Sequence, residues 1–177
     1  MKTTIKMIVG AALVAATALL FSGCDKLPTV EKMTTISTAV GKTAGYVCEL
    51  TKTKTEVKEA IANVLDVVSK AVPDEGQTFA EAWSPLIDEE LKKLVEARKL
   101  DEAGAQVAKL ALNVACDGID YVFVKYPKAK EVKELVSAAV TGFVDGYKSI
   151  VKMRLAAGEK PEIDEEAYKY LKSRVAK

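Results

Sequence analysis

Residues 101–126 read DEAGAQVAKLALNVACDGIDYVFVKY. Glu102, Gln106, Lys109, Asn113, Asp117 and Asp120 recur at steps of three and four, which places them in one narrow stripe of a helix with 3.6 residues per turn. The other residues from 103 to 124 are Ala, Val, Leu, Ile, Phe, Tyr, Cys or Gly. A surface helix buries one face, whereas a helix apolar over most of its circumference is enclosed by its neighbours. This stretch therefore decides the fold class: an all-α protein, a single bundle of five or six helices packed around residues 101–126. The stripe has two readings. It is the solvated edge of a core helix, or it is a polar groove in which Lys109, Asn113, Asp117 and Asp120 contact a ligand. Paired carboxylates such as Asp117 and Asp120 serve as acid and base in glycosidases. Acids three residues apart are also ordinary on a solvated helix face, and the first reading is the better supported.

On the C-terminal side, Tyr126-Pro127 ends the central helix and opens the next, over about 128–157. Val132, Leu135, Ala139, Phe143, Tyr147, Ile150 and Arg154 trace its inward face. Ala138, Gly142 and Gly146 form a row of small residues beside that face. Gly158 and Pro161 stop the helix, and Asp164 caps a last one reaching about 176.

On the N-terminal side, Ser84-Pro85 has the spacing of a helix start, Ser at the cap and Pro at the first position. Ile87, Leu91, Leu94 and Arg98 share its face. Thr78 and Glu81 cap a short helical piece with Phe79 and Trp83. Residues 73–76, Pro-Asp-Glu-Gly, break the helix before it. That helix carries Val57, Ile61, Val64, Val68 and Ala71 inward, and Thr53 with Glu56 has capping-box spacing at its start. The first helix spans about 29–50, with Met33, Ile36, Val40, Ala44 and Val47 on its apolar face. Ser37, Gly41 and Gly45 make a second small-residue row. Small side chains let two backbones approach closely, so the two rows are expected to pack against each other.

Composition limits function. The chain has no His, which excludes Ser-His-Asp and Cys-His nucleophile sites and the commonest metal ligand. No phosphate loop, metal set or cofactor motif appears, so no catalytic residue, metal or cofactor is expected, and the chain reads as a non-enzyme. The chain has 26 basic and 25 acidic residues; without Lys2 and Lys6, 24 face 25. That balance lacks the basic stripe that nucleic-acid binding needs. Hydrophobic residues make up 49% of the chain, enough for a core.

The first 24 residues carry the clearest motif. Lys2 and Lys6 form a positive region, 8–21 are uncharged and apolar, and Ser22-Gly23-Cys24 supplies small residues and a thiol. Charge, apolar core and small residues in that order mark a secretory signal. Leu20-Phe21-Ser22-Gly23-Cys24 resembles the lipobox of bacterial lipoproteins at its last three positions and departs from it at Phe21, where Leu is usual. No family is recognised for the rest of the chain. The resemblance implies cleavage after Gly23, lipidation of Cys24, and stable membrane anchoring through two or more acyl chains. It divides the chain into a signal peptide (1–23), a lipid-anchored tether (24–28) and a helical domain (29–177). It also places the domain in a bacterial envelope, facing the periplasm or the exterior.

Export to an oxidising compartment makes Cys48 and Cys116 a candidate disulfide, closing a loop of about 69 residues worth roughly 4 kcal/mol in the chain-entropy model. A geometric objection stands against it. If the helices alternate up and down, Cys116 lies about 20 Å along the central helix from its start, away from the end of the first helix where Cys48 sits.

Two functions follow. The first is a membrane-anchored, non-enzymatic module that binds another protein. Phage- or prophage-encoded exclusion factors are similar in architecture, without a shared motif. The second is a carrier of an apolar or lipidic ligand, held in a slot lined by tyrosines, Trp83 and the glycine rows.

Overall fold

The computed structural model describes residues 27–49, 54–74, 76–152 and 161–175. The signal segment, Cys24 and most of the tether lie outside the described residues. Six α-helices lie among the described residues: α1 (Val30–Glu49), α2 (Thr55–Val68), α3 (Phe79–Glu96), α4 (Glu102–Lys125), α5 (Lys133–Lys152) and α6 (Glu165–Val175). A five-residue 3-10 helix, Pro127–Glu131, joins α4 to α5. Among the described residues there is no strand, and no helix is long and apolar enough to cross a membrane.

The central helix is α4, which touches every other helix and the 3-10 turn. Its buried residues include Ala108, Leu112, Ala115, Ile119 and Val122, all fully inaccessible. Asp101 caps it, accepting from the Gly104 amide at 2.6 Å, which satisfies one of the first-turn donors left without a partner inside the helix.

The most extensive pairing is between α1 and α5. The two small-residue rows meet there as expected. A methyl group at Gly41 would collide with the Phe143 carbonyl, and one at Gly146 with the Thr38 carbonyl. At Gly142 it would come within 2.6 Å of the Thr34 carbonyl oxygen. Thr34 opposes Gly142 and Thr38 opposes Gly146, so the two helices run parallel. By contrast α3 and α4 are antiparallel, since Phe79 meets Asp120 and Asp88 meets Lys109. Among the described residues the backbone of α1 does not come close to that of α2, its neighbour in sequence; α1 packs on α4, α5 and α6. The last of these is set by Asp164, whose carboxylate accepts from the Glu166 and Ala167 amides at 3.0 and 2.9 Å. Its own amide donates to the buried Thr43 hydroxyl at 2.8 Å.

Three expectations need correcting. Ser84-Pro85 does not start a helix. α3 is continuous from Phe79, with Pro85 inside it. Phe79, Trp83, Ile87 and Leu91 are all buried at four-residue steps, and this one apolar face holds the helix together across the proline. Arg98 does not share that face: it lies past the end of α3 at φ 54° and is exposed. The Lys99 amide donates to Leu94 O and the Arg98 amide to Val95 O, a Schellman closure that requires a left-handed residue at this position. α5 starts at Lys133 rather than 128, because Val132 is extended (φ −111°, ψ 107°). That corner lets both Ala129 and Leu135 face the core. The N-cap position of α2 is Lys54, whose side chain makes no cap hydrogen bond; Thr53, paired with Glu56 in the expected capping box, lies outside the described residues.

Candidate functional site

The polar stripe of α4 does not close into a groove. Its members are laid out along the helix, with Lys109 and Asp120 eleven residues or about 16 Å apart. Asp120 is half-buried, and its two carboxylate oxygens accept from the amides of Phe79 (2.8 Å) and Ala80 (3.2 Å). These are the first two amides of α3. The third, at Glu81, donates to the Thr78 hydroxyl, and the Glu81 carboxylate accepts from the Thr78 amide at 2.8 Å. That amide and the Thr78 hydroxyl hold the Glu81 carboxyl below the usual carboxylate range. Asp120 therefore completes a cap begun by a local box. At the other end of the stripe, Lys109 pairs with Asp88 of α3 at 2.7 Å. Asn113 is exposed and Asp117 half-buried between them.

Cys116 is a free, buried thiol. Burial, followed by the nearby Asp120 and Asp117 charges, pushes it up to about 12. A thiol protonated at every physiological pH is a poor nucleophile. No disulfide forms among the described residues, and the Cys48 side chain lies outside them. The geometric objection to the pair rested on helix ends being level. They are not: Ala44 lies beside Gly118, so the end of α1 meets the middle of α4.

The groups expected to line a ligand slot are packed elsewhere. Trp83 is fully buried, and its indole nitrogen donates to the Ala71 carbonyl at 2.9 Å. The glycine rows are filled by backbone. Tyr46 and Tyr168, and Tyr121 and Tyr170, pair where α6 docks. Among the described residues no cluster of three or more Cys, Asp or Glu side chains is placed to hold a metal ion.

Two features were not foreseen. One is an open cleft of about 570 Å³ where α2 begins and α3 turns into α4, lined by Lys54, Val57, Val95, Arg98, Leu100 and Asp101 among others. Its basic residues are matched by Glu56, Asp101 and Glu102, so it carries no net charge toward a ligand. It depends on the left-handed Arg98, for which the sequence has no glycine signal. The other is an apolar edge beside the polar stripe: Val107 and Leu110 stand 39% and 67% exposed one helical turn apart.

No protein-family model, no curated protein and no solved structure matches the chain.

Proposed function

We propose that this chain is a membrane-anchored envelope lipoprotein whose helical body is a non-enzymatic module for binding another protein. The observation that carries the reading is the division of labour on α4. The charged residues Lys109 and Asp120 are engaged with α3, while Val107 and Leu110 stand out to solvent beside Asn113. Adjacent exposed apolar side chains with a polar border fit a protein contact better than a reaction centre. The lipobox-like Leu20–Cys24 supplies the anchor, through acyl chains on Cys24.

The test is a photo-crosslinking residue at Leu110 in intact cells, with intact mass measured on the purified protein. The expected result is a diacylated chain beginning at Cys24, with one discrete crosslinked protein that disappears when Val107 is changed to Asp. An unmodified chain removes the anchor. A crosslink only to lipid, with lipid retained through purification, favours the carrier instead.

A further inference from the structure

The end of the bundle from which the chain leads back to Cys24 carries exposed apolar side chains. α1, α3 and α5 begin at this end, and α4 finishes there. Direct contacts tie it together. The Lys130 ammonium donates to the Gln77 carbonyl, joining the 3-10 turn to the segment before α3, and Phe79 stacks on Phe123 at 5.5 Å. α1 joins the same end because it runs parallel to α5, with Thr34 opposite Gly142 and Thr38 opposite Gly146, which sets Leu27 level with the first turn of α5. Of the large apolar side chains exposed among the described residues, Leu27, Val30 and Val124 belong to this end, at 49, 52 and 70% exposure. They come from α1, the residues leading into it, and α4, and none is needed by the core.

Chain length says what covers them. Only three peptide units separate Leu27 from Cys24, a reach of about 11 Å when fully extended. With acyl chains on Cys24, this end of the bundle cannot leave the headgroup region of the bilayer. We propose that it is a bilayer-contact face, with Leu27, Val30 and Val124 resting in the lipid interface. This inference rests on the lipoprotein reading and adds an orientation to it. Lys32, Lys128, Lys130 and Lys133 at this end are balanced by Glu31, Asp74, Glu131 and Glu134. The contact is therefore apolar rather than electrostatic, with lysine stems reaching out to the headgroups. It leaves the α4 edge at Val107 and Leu110 on the flank of the bundle, open to a second protein.

Hydroxyl-radical footprinting tests this on the full protein, purified from membranes and reconstituted in phosphatidylcholine vesicles, with acylation read by intact mass. An interface contact some 5–10 Å deep should lower labelling of Leu27, Val30 and Val124 about fivefold or more relative to Val107 and Leu110, each normalised to its exposure. Adding phosphatidylglycerol should change nothing. An acylated protein labelled equally at all five positions overturns the orientation and leaves the anchor intact. Protection seen only on anionic vesicles overturns the apolar contact. A chain without acyl groups removes the inference together with the reading beneath it.

Discussion

Asp120 shows how a residue suited to chemistry is held by structure instead. It accepts two backbone amides of a helix whose first turn lies 40 and 41 positions away. Asp120→Ala should lower stability by about 1–2 kcal/mol, the usual cost of losing a helix cap, and Asp120→Asn by less, since its amide oxygen still accepts one bond. Urea unfolding of both variants measures this, and an alanine variant as stable as the parent would contradict it. Cys116 gives a second expectation at this scale. In the folded state the thiol holds its proton up to about pH 12, against an ordinary value of 9.0. Below pH 9 both states are protonated and the thiol has no effect. Between pH 9 and about 12 the unfolded chain releases the proton first, so stability falls as pH rises through that window. At neutral pH, iodoacetamide should leave the Cys116 peptide unmodified in the native protein and alkylate it fully in denaturant, as read by mass spectrometry.

At the scale of helices, the α1–α5 pairing is a contact between backbones. Gly41→Ala and Gly146→Ala each drive a methyl group into a carbonyl of the facing helix. Backbone cannot swing aside as a side chain does, so each should cost about 3 kcal/mol, the upper range for overpacking. Gly76→Ala is the control: space there is open, though φ is +82°, so it should cost about 1 kcal/mol through backbone strain alone. Thermal melts of the three variants rank them. These rows were legible in the sequence because small residues at four-residue steps on two helices need only each other. The inward face of α1 was legible for the same reason of periodicity, and Met33, Ile36, Val40, Ala44 and Val47 are all buried. Ser84-Pro85 misled because a sound local start signal competed with four buried anchors spaced across it, and tertiary packing won. The capping role of Asp120 was illegible, since nothing local to position 120 reveals that an uncapped helix start arrives from 40 residues upstream. The bend at Val132 and the left-handed Arg98 were hidden likewise, being set by how the chain turns between packed helices.

Over the whole molecule, stability is unevenly spread, and α6 is the weakest attachment. It has 11 residues, fewer than the roughly 12–15 an isolated helix needs to persist in water. Its fully buried apolar side chains are Ala167 and Leu171, and burying a leucine contributes only about 2 kcal/mol. The Thr43–Asp164 hydrogen bond, the Lys125–Glu166 ion pair at 2.7 Å and two tyrosine pairs complete the attachment. Global unfolding of a domain this size costs about 5–15 kcal/mol, so α6 should open on its own while α1, α4 and α5 stay closed. Hydrogen exchange followed by mass spectrometry should then show amides 168–173 exchanging well before those of α1 and α5, and faster still in Lys125→Ala. The pH dependence has a fixed sign. The Lys125 ammonium holds the Glu166 carboxyl below its ordinary 4.5. Its contribution is therefore present above pH 4.5 and lost as pH falls through the lowered folded value. After correction for intrinsic exchange, protection of α6 should drop in acid ahead of that of α1. If all helices instead exchange together at every pH, α6 belongs to the same cooperative unit as the central bundle, and its two buried side chains are worth more than their area implies.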